Sequence, residues 1–278
     1  MSDIRGGAQS ATHLLPVDGH VHFYQPERVP STLDAALRNF LCVAPPLSGC
    51  AGALLLTQAS HEQVFEALRA SPGRYGRWLI APVEAEEQTL VASCDAHWIA
   101  LVAGSQVRCD NGLEVAAIGT SRRFPDGLPL QDAIEAVSAS GAWLVLPWGF
   151  GKWAGARGRQ ILGVLESGRS GQFAVGDNGS RMRLLRQPAL IRHAGKAGHL
   201  VLPGTDPFPC GTDYRRVGSF GFLLDVRMDT ARPWHCLEQA LNTLEAAPTP
   251  YGHAVSVATF LRNQIGIRLF NRRIRRTA

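Results

Sequence analysis

Short apolar runs alternate along this chain with stretches whose apolar residues recur at helical spacing. The runs predict strands near residues 14–23, 51–57, 78–83, 98–107, 113–118, 143–147, 173–175 and 199–202. Between them the spacing predicts helices at 31–41, 61–70, 86–94, 130–140, 157–167 and 181–197. Ser60 and Asp132 read as helix starts and Gly141 as a stop. Strands alternating with helices mark βαβ units around a parallel sheet. One connection breaks the rhythm. Asp110-Asn111-Gly112 sits between two apolar runs, and Asn-Gly readily takes positive φ, so a hairpin is expected there. The pattern predicts a single-domain α/β protein: an imperfect, distorted TIM-like β/α barrel of seven to eight strands. Its core would span residues 13–208, with C-terminal helices at 233–246 and 254–274 packed outside, within residues 232–274.

Composition narrows this picture. A chain of 278 residues, 45% hydrophobic, can bury one large core. No run of eighteen apolar residues exists, so no membrane-spanning helix is expected. The segment Met1 to Thr12 is small and polar and lacks a signal-peptide core. Six scattered cysteines without a Cys-x-x-Cys pair fit reduced thiols in the cytoplasm.

Charge is unevenly placed. The basic residues are 26 arginines and two lysines, Lys152 and Lys196, and the net charge is +5. Six of the arginines lie in the last seventeen residues, and without them the chain would carry −1. Phe260, Leu261, Ile265, Leu269 and Phe270 recur there at helical spacing, predicting a stripe that docks on the body and leaves the arginines in solvent. Such an end would make only weak, salt-sensitive contact with nucleic acid or an anionic surface.

Chemistry concentrates at two strand ends. The run from Leu14 closes on Asp18-Gly19-His20-Val21-His22, and on a strand His20 and His22 share a face, so two imidazoles can converge on one divalent ion. The run from His199 closes on Gly204-Thr205-Asp206, which would set a carboxylate at the tip of the last strand, beside the first if a barrel closes. Each motif alone has a plainer reading, as strand-end hydrogen bonding or turn capping. Two further groups are candidates for the same mouth: Lys152, in the Trp148–Trp153 loop, to hold an anion, and Asp177 as a general base or orienter. Asp177 also reads as a strand-closing turn, and His61 as the first turn of a surface helix.

In this order the motifs resemble the polymerase-and-histidinol-phosphatase (PHP) superfamily of metal-dependent phosphoesterases. Amidohydrolase-type barrels are similar in the first and last motifs. The resemblance runs from about residue 14 to 208, through Asp18-Gly19-His20-Val21-His22, Leu55-Leu56-Thr57-Gln58, Val102–Val107, Leu128–Ala136, Gly141–Trp148 and Gly204-Thr205-Asp206. It implies a metal cluster, but several ligands are replaced. Gln58 stands where the family has Asp, Gln106 where it has Glu, Leu146 where it has His, and Phe208 ends the last motif where His is expected. His20, His22 and Asp206 remain as metal ligands, with the amide oxygens of Gln58 or Gln106 as helpers. Such a set suits one Zn, Mn or Fe ion. The implied activity is hydrolysis of a small anionic phosphoester by water activated on that ion. Two other readings stay open: a catalytically degraded barrel that binds a ligand or partner, and an amidohydrolase-like C–N hydrolase.

Overall fold

A computed structural model describes residues 14–168, 171–209 and 211–277, without the side chains of 268–277. Met1 to Thr12, Cys210 and the side chains of Leu269 and Phe270 therefore lie outside the described residues. The strands are β1 (Leu14–Val21), β2 (Cys50–Leu56), β3 (Gly73–Tyr75), β4 (Trp78–Val83), β5 (Glu86–Cys94), β6 (His97–Val102) and β7 (Gly104–Arg108). They continue with β8 (Glu114–Ile118), β9 (Trp143–Pro147), β10 (Ala174–Asn178), β11 (Leu200–Gly204), β12 (Phe220–Asp225) and β13 (Thr249–Gly252). The helices are α1 (Val29–Leu41), α2 (Val64–Ala70), α3 (Leu130–Ala139), α4 (Gly155–Ser167), α5 (Ala189–Lys196), α6 (Pro233–Asn242) and α7 (Val257–Thr277).

The expected barrel does not form. The strands make two open sheets, one in the order β13-β12-β1-β2-β6-β5-β4-β3 and one in the order β11-β10-β9-β8-β7. Among the described residues seven of the eleven strand pairings are antiparallel, whereas a β/α barrel needs all of them parallel. The sheets stack face to face with helices on both outer sides. Leu15, Val17, Ala53, Leu55, Val145 and Leu202 meet between the sheets, and Trp234, Leu237 and Leu241 of α6 join that core. On the outer face of the larger sheet, α1 and α2 cover Leu54, Leu56, Ile80 and Leu101. On the outer face of the smaller sheet, α3, α4 and α5 cover Val115, Leu144, Leu146 and Val175.

Both faces of the central strands are thus buried, which is why β2 reads as the unbroken run CAGALLL. Continuous apolar runs report two-sided burial, and here a second sheet supplies one side. The segment 86–94, expected as a helix, is β5, which turns through Asp95, at φ +53°, to pair antiparallel with β6. The single strand expected over 98–107 breaks at Gly104 into β6 and β7, one in each sheet. A Cβ on Gly104 would lie 2.2 Å from the Leu56 carbonyl oxygen, so only glycine lets the chain cross there. The hairpin at Asp110–Gly112 joins β7 to β8 as expected. The helix expected over 181–197 is shortened to α5, which begins after Pro188. The chain beyond 208 was expected to add only helices; it also supplies β12 and β13, and β12 pairs with β1.

Candidate metal centre

The two sheets touch where β1 meets β11 and where β2 meets β7. At the first seam the Asp206 N–H donates to the His20 carbonyl (2.9 Å), and a Cβ on Gly204 would lie 2.3 Å from the His20 nitrogen. At the second, Gln58 and the start of β7 exchange backbone bonds of 3.2 and 2.8 Å. The carboxyl ends of β1, β2, β10 and β11 therefore converge, the place where α/β sheets present their ligand-binding groups.

A register irregularity in β1, between Asp18 and Val21, aims the imidazoles. Val17 belongs to the core between the sheets and Val21 to the outer core, although regular alternation would put them on one face. Within it His20 and His22 turn together, their Nε2 atoms 3.2 Å apart. Asp206 Oδ1 lies 3.8 Å from each of those nitrogens. Among the described residues this is the one group of histidine, cysteine and carboxylate side chains close enough to share an ion.

The surroundings leave the facing atoms free to ligate. His22 Nδ1 lies 2.9 Å from Glu62 Oε2, and in the neutral ring donation from Nδ1 to that carboxylate leaves the lone pair on Nε2. Burial works against charge on His22, but Glu62 and Asp206 outweigh it and raise its pKa. Burial holds His20 down at about 3 against the pull of Asp206, so its ring is neutral. Asp206 has φ +46°, unusual for a residue with a side chain, and its Oδ2 accepts from Asn178 Nδ2 (3.1 Å) and Ser180 Oγ (3.2 Å). Burial alone would raise the pKa of Asp206. The two imidazoles, the Lys152 ammonium and the Asn178 amide hold it below the usual carboxylate range.

The donor set fits a divalent ion. Two nitrogens bound at zinc distance in a tetrahedron lie roughly 3.3 Å apart. The imidazole pair matches this, and the carboxylate oxygen needs only a few tenths of an ångström of closure. Gln106 interacts with the His20 ring, and its Oε1 is buried without a hydrogen-bond partner of ordinary geometry. Lys152 pairs with Glu114 on β8, and its charge reaches both His20 and Asp206.

Two expected residues sit elsewhere. Gln58 continues the outer face of β2, where its Oε1 accepts from Phe65 N (2.8 Å) and its Nε2 donates to Glu66 (3.1 Å), so it anchors α2 instead of facing the ion site. Asp177 is on the opposite face of β10 from Asn178. It pairs with Arg181 (2.8 Å) and accepts from Gln187, beside a separate cavity of about 570 Å³. His61 is exposed, while its neighbour Glu62 orients His22. Glu62, Ser180 and Glu114 were not anticipated. Asn178 was visible only as a neighbour of Asp177. The signal for it was parity, since Asp177 shares a face with Val175 of the outer core and Asn178 with Ala174 of the inner one.

His22 also lines a cavity of about 170 Å³, with Tyr24, Arg28, Phe208 and Tyr214 among its walls. Tyr24 stacks on the His22 ring at 5.4 Å.

No protein-family model matches the chain, and no curated protein does. The PHP resemblance therefore rests on its motifs alone. Among solved structures the chain is similar to PsfC from Pseudomonas syringae PB-5123, with a TM-score of 0.57 and 13% identity over 94% of this chain and 99% of that one. At that identity the likeness concerns the fold alone.

Proposed function

We propose that this chain is a metal-dependent hydrolase acting on phosphoric esters, with one divalent ion, Zn, Mn or Fe, held by His20, His22 and Asp206. The observation that carries the proposal is the convergence of two neutral-capable imidazole nitrogens and one ionised carboxylate oxygen on a single point. A bound divalent ion supplies a Lewis acid that lowers the pKa of water toward about 7. The chain's own groups do the rest. Glu62 fixes the tautomer and tilt of His22. Asn178 and Ser180 hold one oxygen of Asp206 so that the other faces the imidazoles. In this reading Lys152, whose charge reaches His20 and Asp206, hydrogen-bonds a phosphoryl oxygen and offsets the charge that grows there. Gln106 offers a neutral oxygen whose hydrogen-bonding capacity is unspent. The free thiols of Cys42, Cys50, Cys94, Cys109 and Cys236 suit a cytoplasmic setting.

The test is elemental analysis of purified protein, before and after reconstitution with each metal, beside hydrolysis of p-nitrophenyl phosphate. About one ion per chain is expected, with both metal and turnover lost in His20→Ala and Asp206→Ala. Protein that holds no metal after reconstitution would end the proposal. A non-catalytic ligand-binding role is favoured by one observation, that Lys152 is already neutralised by Glu114. Metal binding without turnover would select that role. A C–N hydrolase wants further histidines from the middle strands, and none joins the group among the described residues.

A further inference from the structure

Two segments of this chain carry no acidic residue at all: 178–205 and 246–278. Together they hold eleven of the 28 basic residues. The fold brings them side by side, because Met182 bridges to Val255 and the Arg183 N–H donates to the Val255 carbonyl at 2.8 Å. On one side of this junction lies the exposed run Arg183-Leu184-Leu185-Arg186, with Leu184 76% and Leu185 47% exposed. On the other side α7 begins. Phe260 and Asn263 bury its inner face, while Val257, Leu261 and Ile265, spaced four apart, form a stripe that is exposed, Leu261 by 55% and Ile265 by 61%. Among the described residues of the expected stripe, Phe260 docks on the body while Leu261 and Ile265 do not. Arg183 and Arg186 have no acidic partner among the described residues, and Arg262 reaches Asp213 only at 4.0 Å.

We propose that this composite face, the 183–186 loop and the outward stripe of α7, docks on the surface of an anionic lipid bilayer. Isolated exposed leucines need no explanation, but four large aliphatics set among unpaired arginines match the two attractions of an interfacial site. Apolar side chains enter the headgroup boundary while cations meet lipid phosphates and carboxylates. Charge argues against a second copy of the chain as the occupant, since a symmetric contact would press two acid-free arginine surfaces together. A nucleic acid would use the arginines and leave the leucines in water. Surface binding is the only membrane mode open to the described helices, none of which is long and apolar enough to cross. The face also adjoins the metal centre. Phe260 packs edge-on against Phe150 at 5.0 Å, and Asn263 donates to Asp213, which in turn accepts the Phe208 N–H two residues beyond Asp206.

The test is flotation of the full-length protein with phosphatidylcholine vesicles and with vesicles of phosphatidylcholine and phosphatidylserine, at low and high salt. Capture is expected on the anionic vesicles only, and to weaken as salt rises. Arg183→Gln with Arg186→Gln should lower the partition coefficient by at least about tenfold. Leu184→Ser with Leu185→Ser, and separately Leu261→Ser with Ile265→Ser, should lower it by a similar factor without changing metal content. Failure of the wild-type protein to float would overturn the proposal. So would full binding by both leucine pairs, which would mark a general polyanion site. A dimer broken by the same leucine changes would overturn it in favour of self-association.

Discussion

Two aspartates, Asp18 fully buried and Asp206 partly exposed, lie beside the same histidine pair in the fold and do opposite work. Asp18 accepts four hydrogen bonds: from Thr205 N at 2.8 Å, Thr205 Oγ1 at 2.6 Å, Gly218 N at 2.9 Å and His20 N at 3.3 Å. Burial pushes its carboxyl up to about 6, yet these donors keep it ionised at neutral pH. Both oxygens are spent on fastening β1 to β11 and to the turn before β12. Asp206 spends only one oxygen on its neighbours and turns the other toward two imidazole nitrogens. Charge alone does not separate a structural carboxylate from one free to ligate. What separates them is the lone pairs left over after the protein's own donors are counted.

The sharpest break of that comparison is Asp18→Ala. It strands buried backbone N–H groups and the Thr205 hydroxyl, and should cost about 3–5 kcal/mol of stability in urea unfolding. Asp18→Asn should cost less but not nothing, since its amide nitrogen would face the Gly218 N–H or its equivalent. Loss of under about 1 kcal/mol in Asp18→Ala would show that the four bonds are not what joins the seam. Gly204→Ala attacks the same seam sterically. Its Cβ would lie 2.3 Å from the His20 backbone nitrogen, so strands must separate. We expect about 2–3 kcal/mol of destabilisation together with weaker metal binding, because Asp206 moves with β11. Unchanged metal affinity in a folded Gly204→Ala protein would show that the triad does not depend on this close approach.

The contrast also explains what the sequence shows and what it hides. The imidazole pair is legible because His20 and His22 are two apart at a strand end, and Asp206 because it ends another apolar run. Gln106 is reached only through the motif resemblance, as the residue standing where the family has Glu, and no pattern of its own marks it. Glu62 has no such signal: it lies in the loop between β2 and α2, forty residues from His22, and only the folded chain puts it 2.9 Å from that ring. At the level of the fold, apolar runs locate strands such as β2 and β9 well because both faces are buried. They do not say whether a neighbouring layer is helix or sheet, or whether the sheet closes. The barrel expectation fails at that step, and with it the helix expected over β5, whose partner across the Asp95 turn is adjacent in sequence.

A smaller effect is expected at the orienting carboxylate. Glu62→Gln can still accept from His22 but loses the charge that favours the Nδ1–H form. Metal affinity by calorimetric titration should fall about tenfold, with stability nearly unchanged. An equal affinity would mean that His22 is held by its packing against Tyr24 instead.

The smallest change in stability, and the one that isolates ligation from architecture, is Asp206→Asn. Asparagine tolerates the positive φ at this position, keeps an oxygen for Asn178 or Ser180, and removes the charge that faces the imidazoles. Without metal the variant should lose no more than about 1 kcal/mol, because the charge that the imidazoles and Lys152 favour is lost while an oxygen for Asn178 and Ser180 is kept. With metal the gap should widen. An ion bound only by the native state stabilises it by mass action, so excess Zn or Mn should raise the Tm of the parent and leave the variant where it was. If metal-free Asp206→Asn instead loses several kcal/mol, Asp206 is a fastening carboxylate like Asp18, and the free oxygen facing His20 and His22 is not there to hold an ion.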